Sequence, residues 1–248
     1  MTPDYRIYQH DTLPSTNQTA IEMAAEGAPE WTVVVARHQS AGRGRLDRKF
    51  YSPEGTGLYM SIILRPCIPP SQALKITAAA AVGVAETLDK MFGVRAEIKW
   101  VNDILVAGKK VCGILTESRL SGSELEFAVL GIGINLTAPE GGFPEEIQDI
   151  AGAVAEQVEA DTFQNVIRKF LEVFYQHYQN LTAEPCPFLP AYKARLCCLH
   201  RPVHIIGAEG TWMPGIPVDL EPDFSLKVAL EDGSVKSLRA GEISLRFS

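Results

Sequence analysis

The sequence lacks the common signatures of nucleotide-binding and metal-binding proteins. No GKS or GKT triplet completes a Walker phosphate loop and no G-x-G-x-x-G fingerprint is present, so a triphosphate would need another scaffold. The five cysteines form no C-x-x-C pair and show no zinc spacing. Their odd number and the adjacent pair at 197–198 indicate reduced thiols and a cytoplasmic protein.

Long apolar runs and an excess of positive charge are also missing. The sequence contains no run of about 18 apolar residues, so no membrane span is expected. Residues 1–6 contain no apolar segment typical of a signal peptide. The net charge of −7 argues against general nucleic-acid binding. The 248 residues suit one large domain, or a main domain with a small second one.

The most distinctive stretch that is present is a glycine- and arginine-rich segment at residues 42–48, after a β-branched run that predicts a buried strand. Its glycines let backbone N–H groups come close to a ligand. Arg43, Arg45 and Arg48 add guanidinium groups, which bind phosphate or carboxylate through paired hydrogen bonds. The segment predicts an anion-binding loop, with a solvated basic loop as the alternative.

The remaining pattern predicts an α+β fold with a mixed sheet and flanking helices. The predicted helices begin near residues 15, 70, 162 and 188, and the predicted strands cover 32–36, 58–64, 96–101, 104–106, 111–117 and 124–135. Residues 139–161 are predicted to be irregular or only partly helical. Gly131 and Gly133 inside the last strand indicate close approach to the backbone by a ligand or a neighbour.

The composition changes near residue 199, where short β-type runs begin to alternate with turns. Asp232-Gly233 between two such runs predicts a hairpin. We therefore predict a catalytic domain at residues 1–198 and a small β-barrel domain at residues 199–248.

Six motifs together resemble the biotin protein ligases, the BirA family, in order and spacing over nearly the whole chain. They are STN at 15–17, QSAGRGR at 39–45, KWVND at 99–103, KVCGILTE at 110–117, GIGIN at 131–135 and GEISLR at 241–246. The resemblance implies a catalytic fold like that of class II aminoacyl-tRNA synthetases, with an SH3-like C-terminal barrel.

The resemblance also implies a two-step reaction with biotin, ATP and Mg²⁺. Biotin carboxylate attacks the α-phosphate of ATP to give biotinyl-5′-AMP and pyrophosphate. A lysine amine of the biotin carboxyl carrier protein of a carboxylase then attacks the activated carbonyl. No helix-turn-helix domain precedes Ser15, which implies the short form without DNA binding. The oligomeric state stays open, and a homodimer is one alternative.

Residue roles follow from the same resemblance. The residues expected to bind biotin are Ser15, Thr16, Asn17, Gln39, Gly42, Arg43, Lys110 and Gly113. Those expected to bind ATP or the adenylate are Arg43, Arg45, Arg48, Phe50, Asn102, Lys110 and Asn135. The catalytic assignments are Lys110, Arg45 and Asp103, and Asp103 is also the candidate magnesium ligand.

Three assignments keep alternatives. Lys110 could bridge the biotin carboxylate and the α-phosphate, or it could be a solvated hairpin lysine. Asp103 could deprotonate the acceptor lysine, bind magnesium, or form a structural salt bridge to Lys99. Ser15 or Thr16 could simply cap the first helix.

The sequence departs from the family pattern at two positions. Phe50 stands where tryptophan is common, and it still offers an aromatic face. Val101 stands where proline is usual, which predicts a looser turn. Two other functions are carried as alternatives: a lipoate ligase or octanoyltransferase of the same fold, and a non-enzymatic biotin- or nucleotide-binding regulator.

Overall fold

A computed structural model of the chain describes residues 3–45, 48–206 and 212–238. Its strands are β1 (Arg6–Leu13), β2 (Thr32–Gln39), β3 (Gly57–Leu64), β4 (Ala96–Lys99), β5 (Asp103–Val106), β6 (Lys109–Ser121), β7 (Glu124–Asn135), β8 (Val203–Ile206), β9 (Trp212–Leu220), β10 (Leu226–Leu230) and β11 (Val235–Leu238). Its α-helices are α1 (Thr16–Ala25), α2 (Leu74–Phe92), α3 (Thr162–Tyr178) and α4 (Leu189–Arg195).

The main sheet has seven strands in the order β1-β2-β3-β7-β6-β5-β4. The β1–β2 pair is parallel and the other pairs are antiparallel, which makes the sheet mixed. The predicted α+β class is therefore confirmed. Strand β1 was missed by the sequence patterns, because it alternates exposed and half-buried residues at the edge of the sheet and carries little apolar signal.

Strand β3 lies in the middle of the sheet and is buried along its whole length. Ile63 on one face packs with Ala20 and Ala24 of α1. Ile62 on the other face belongs to the large core that α2 and α3 complete. Because helices cover both faces, the strand reads as a continuous apolar run. Its one polar member on the α1 side, Ser61, is fully buried.

The C-terminal strands form a separate four-stranded antiparallel sheet in the order β11-β10-β9-β8. This sheet confirms the predicted small β unit, and the Asp232-Gly233 hairpin joins β10 to β11 as predicted. The predicted strand and motif at 241–246 lie outside the described residues. The division at 198/199 stays a prediction.

Aromatic packing joins the small sheet to the main core. Phe224 is fully buried and stacks on Phe188 with ring centroids 5.4 Å apart, and it meets Tyr192 edge-on at 5.3 Å. The indole N–H of Trp100 donates to the carbonyl of Phe224 at 2.9 Å, and the Tyr192 hydroxyl donates to the carbonyl of Val101 at 3.0 Å. The loose turn predicted at Val101 is therefore wrong, since Val101 is buried and hydrogen-bonded.

None of the helices in the described ranges combines the length and hydrophobicity that crossing a membrane requires.

Replacing Phe224 with alanine tests this packing. We expect Phe224→Ala to lower the free energy of unfolding by about 3 kcal/mol, because it removes a buried ring at the junction of the two sheets. Chemical denaturation measures the change. Ile150→Ala is the control, because that side chain is 61% exposed and its removal should cost less than about 0.5 kcal/mol. A loss below about 1 kcal/mol for Phe224→Ala would contradict the proposed junction.

Candidate functional site

The basic segment leaves β2 and returns toward β3, and backbone hydrogen bonds join its two ends. Phe50 N donates to Gly42 O at 2.9 Å, and Gly44 N donates to Arg48 O at 2.7 Å. A Cβ at Gly42 would stand 2.4 Å from the carbonyl oxygen of Phe50 and 2.6 Å from Ser52 Oγ. Glycine at position 42 is therefore required for the loop to close.

Gln39 bonds the start of α1 to the closed end of this loop. Its Oε1 accepts from Thr16 N at 2.8 Å and from Thr16 Oγ1 at 3.1 Å, and its Nε2 donates to Ser52 Oγ at 2.9 Å. Ser52 Oγ in turn donates to Phe50 O at 3.0 Å. Ser15 holds the N-cap position as predicted, but its side chain makes no capping bond, so side-chain capping of α1 is wrong. The free N–H of Thr16 at the first helical position donates to Gln39.

A second row of hydrogen bonds runs from α1 across the sheet to the basic loop. Ser61 Oγ lies 2.8 Å from Thr16 Oγ1 and 2.6 Å from Asn17 Oδ1. Asn17 Nδ2 donates to Glu117 Oε2 at 2.9 Å, and the other oxygen of Glu117 lies 3.1 Å from Arg43 Nη2. A continuous polar chain thus links Arg43 to the first turn of α1.

The sequence patterns gave no role to three residues of these two hydrogen-bond networks, Ser52, Ser61 and Glu117. Ser61 carries a recognisable signal, because it is the one small polar residue inside the apolar run at 58–64. Glu117 ends one of the six motifs, yet nothing in the sequence indicates its partner. No sequence pattern indicates a role for Ser52, because a serine beside a proline is common in turns.

The other cations gather at the turn between β4 and β5. Arg45 Nη1 donates to Asn102 Oδ1 at 3.1 Å, and Asn102 Nδ2 donates to Ile114 O at 2.8 Å. Lys110 Nζ lies 2.7 Å from Asp103 Oδ1. Asp103 thus pairs with Lys110, and the alternative of a structural salt bridge to Lys99 is wrong. Lys110 is half-buried and held by a carboxylate, so it is not a freely solvated hairpin lysine.

The surroundings of Asp103 and Lys99 show how the charges at the β4–β5 turn interact. Oδ1 of Asp103 is buried and accepts no well-oriented hydrogen bond from the described residues, so its contact with Lys110 is mainly a charge pair. Burial lowers the pKa of Lys99, with Lys110 and Arg48 adding to the effect and Asp103 opposing it. Arg48 therefore belongs to the same positive field as Lys110.

The ring of Phe50 covers two glycines that face each other across β6 and β7. Gly113 pairs directly with Gly133. A Cβ at Gly133 would stand 2.4 Å from Phe50 Cε1, and one at Gly113 would stand 3.1 Å from Phe50 Cε2 and 3.4 Å from Lys110 Nζ. Phe50, Gly113 and Lys110 are thus neighbours, and the glycines leave a flat surface beneath the ring.

The close approach predicted at the two strand glycines is confirmed, with side chains as the neighbours. Phe50 lies against Gly133, and a Cβ at Gly131 would overlap the Asn17 side chain. Asn135 lies at the end of the same strand and donates through Nδ2 to Gly152 O at 3.0 Å. Gly152 N donates to Lys110 O at 2.9 Å, which places Asn135 and Lys110 on either side of one backbone segment.

Metal binding finds little support in this set of side chains. Over residues 3–45, 48–206 and 212–238, no group of three or more His, Cys, Asp and Glu residues could hold a metal ion. Asp103, the candidate ligand, is already paired with Lys110. The donor set does not fit a resident metal.

The fold and site together define an α+β protein with neutral hydrogen-bonding groups beside a cluster of cations. The model of the biotin/lipoate A/B protein ligase family matches residues 10–135, and the chain belongs to that family.

Individual relatives agree with this membership. The bifunctional ligase/repressor BirA of Bacillus subtilis is 42% identical over 175 residues, covering 70% of this chain and 54% of that protein. The biotin–[acetyl-CoA-carboxylase] ligase of Paracoccus denitrificans is 39% identical over 134 residues, covering 53% of this chain and 55% of that protein. The chain thus spans about half the length of the curated relatives it matches.

Among solved structures, the biotin protein ligase from Aquifex aeolicus in complex with biotin and ATP superposes with a TM-score of 0.81. It is 27% identical, and the alignment covers 98% of this chain and 99% of that chain. The agreement extends over the main sheet and the small C-terminal sheet, so it supports the predicted fold as a whole.

The contact between Phe50 and Gly133 makes a testable prediction. Gly133→Ala should lower the free energy of unfolding by about 1–3 kcal/mol, because the new methyl group overlaps the ring. Phe50→Ala should remove most of that penalty. The two changes should therefore be coupled by about 1 kcal/mol in a double-mutant cycle measured by urea denaturation. Strictly additive effects would show that the ring does not lie on Gly133.

Proposed function

We propose that the protein is a biotin–[biotin carboxyl carrier protein] ligase. It forms biotinyl-5′-AMP from biotin and ATP with release of pyrophosphate, and then transfers biotin to a lysine amine of a carboxylase carrier domain with release of AMP. One observation carries the proposal: Arg45 and Lys110 meet at the β4–β5 turn, beside the glycine surface under Phe50 and the polar row at the start of α1. The similarity to the Aquifex ligase with biotin and ATP supports the same pair of substrates.

The first step needs cations, because a carboxylate and a triphosphate repel each other. Arg45 is bonded to the neutral amide of Asn102, so its charge is not cancelled by a carboxylate there. Lys110 is paired with Asp103, and we propose that it exchanges this partner for the biotin carboxylate and the α-phosphate. Preorganised cations of this kind stabilise the charge that develops in the transition state. Arg48 adds to the positive field that the phosphates meet.

Asp103 holds Lys110 in place before the substrates bind, which is a positioning role. Its carboxylate contacts Lys110, and it becomes a proton acceptor for the incoming amine once Lys110 moves to the ligand. Since the donor set does not fit a resident metal, we propose that magnesium enters as the complex with ATP. Metal held mainly by substrate phosphates and one carboxylate is a common arrangement for Mg²⁺.

The neutral end of the site suits the ureido ring of biotin, which has two donors and one acceptor. We propose that Ser15, Thr16 and Gln39 bond this ring, with backbone groups of Gly42 and Arg43. Thr16 and Gln39 are bonded to each other in the structure. The ring therefore replaces existing hydrogen bonds, and the polar groups are satisfied in both states.

The adenylate is expected beside the cation cluster. We propose that Phe50 offers its ring face to the adenine, and that Asn102 and Asn135 contact the nucleotide portion. Asn102 already orients Arg45 through its side-chain oxygen. The partner in the second step is a carrier domain with an accessible lysine. The five cysteines are free thiols, which supports action in the reducing cytoplasm.

A labelling experiment tests the proposed function. Purified protein with biotin, Mg-ATP and a biotin carboxyl carrier domain should produce a streptavidin-detectable carrier. Lipoate and octanoate in place of biotin should give no product on either a biotin or a lipoyl carrier domain. Absence of biotinylated carrier at saturating substrates would refute the proposal, and product with lipoate alone would favour the lipoate alternative.

The role of Lys110 has a matched control in its neighbour. Lys110→Ala should lower biotin-dependent pyrophosphate release by at least about 100-fold, because it removes the cation that joins the two anions. Calorimetry should still detect biotin binding to this variant. Lys109→Ala should release pyrophosphate as the wild type does, because the Lys109 side chain is exposed and donates to the backbone carbonyls of Gln148 and Asp149. Near-normal release by Lys110→Ala would show that its role is misassigned.

A further inference from the structure

We infer that Glu117 is a positioning residue for the biotin end of the site. The inference rests on the proposed function and names a residue to which neither the sequence motifs nor the relatives give a role. Glu117 lies on β6, and its two carboxylate oxygens contact different parts of the site. Oε1 lies 3.1 Å from Arg43 Nη2 in the basic loop, and Oε2 accepts from Asn17 Nδ2 at 2.9 Å in the first turn of α1.

Both partners of Glu117 belong to the biotin end rather than to the reacting end. Asn17 follows Thr16 directly and shares a hydrogen bond with Ser61, which also lies beside Thr16. Arg43 follows Gly42, whose carbonyl closes the loop by accepting from Phe50 N. Loss of the Glu117 contacts would therefore remove one bond to α1 and one to the loop together, while leaving the contact of Lys110 with Asp103 in place.

The environment of Glu117 makes it an effective link. Its side chain is 24% exposed and that of Asn17 is almost fully buried, so the hydrogen bond between them is largely shielded from water. A carboxylate accepts bonds at both oxygens, whereas a glutamine offers one accepting oxygen and one donating nitrogen. Arg43 and Asn17 both present donors here. Glu117→Gln therefore leaves one of the two donors without its partner while the shape of the side chain is kept.

This arrangement also separates the arginines by role. The guanidinium of Arg43 is paired with Glu117, so it anchors the loop to β6. Arg45 is held by a neutral amide and keeps its charge available for the phosphates. We therefore assign the anchoring of the loop to Arg43, and its contact with ATP stays a prediction.

The experiment compares Glu117→Gln with a matched control, Glu126→Gln, on the neighbouring strand β7. Glu126→Gln removes an exposed ion pair with Arg119, whose Nε lies 3.0 Å from Glu126 Oε2. Glu117→Gln should raise the biotin KM about tenfold and leave kcat and the ATP KM within about twofold, since hydrogen bonds to charged groups are worth this much. Glu126→Gln should leave all three constants within about twofold. Thermal unfolding shows that each variant is folded.

A double-mutant cycle with Arg43→Met tests the link itself. The biotin KM of Glu117→Gln/Arg43→Met should exceed that of the weaker-binding single variant by no more than about twofold, because one contact is removed in both. The inference would be overturned if the increases in biotin KM of the two single variants multiplied in the double variant. An unchanged biotin KM in Glu117→Gln would also overturn it. Should Glu117→Gln not fold, Arg43→Met removes the same ion pair from the loop side and should give the same tenfold change.

Biotin affinity measured by calorimetry separates this inference from the proposed function. If the wild type binds biotin but labels no carrier, the proposed function fails, and a tenfold weaker Glu117→Gln still supports the inference. If the wild type labels the carrier and Glu117→Gln binds biotin equally well, the inference alone fails. If the wild type does not bind biotin, both fail.

Discussion

The site depends on holding cations close together in the absence of the anions that they serve. Like charges repel, and three of these cations have a specific partner. Lys110 is paired with Asp103, Arg43 with Glu117, and Arg45 with the amide of Asn102. These partners lie on β5, on β6 and in the turn between β4 and β5. The sheet therefore positions the cations, and the difference between a carboxylate and an amide partner separates Arg43 from Arg45.

The sheet places these contacts through its glycines and its buried polar side chains. Gly113, Gly131 and Gly133 sit where β6 and β7 are paired, and they leave room for Phe50 and Asn17 against the backbone. Ser61 interrupts an apolar strand so that α1 can be fixed by hydrogen bonds as well as by packing. The same strands that build the core thus shape the floor of the site, and a change of core register would move both.

The sequence predicted the parts of this structure that depend on local pattern. The basic loop, the long core helix, the β5–β6 hairpin with Lys110 and the small C-terminal sheet follow from periodicity, turn residues and motif spacing. It could not predict β1, because an edge strand with exposed residues has no apolar signal. It also could not predict the bond between Gln39 and Thr16, because the two residues are 23 positions apart. The partners of Glu117, Arg43 and Asn17, could not be predicted for the same reason, because the spacing of residues in the sequence does not indicate long-range pairs.

The central claim is that Lys110 leaves Asp103 to bridge the two anions. A crystal structure of the protein with biotin and a non-reactive ATP analogue tests it most directly. The account predicts Lys110 Nζ within hydrogen-bonding distance of both the biotin carboxylate and an α-phosphate oxygen, with Arg45 on the phosphates. A complex in which both ligands are bound while Lys110 remains on Asp103, away from either anion, would contradict it.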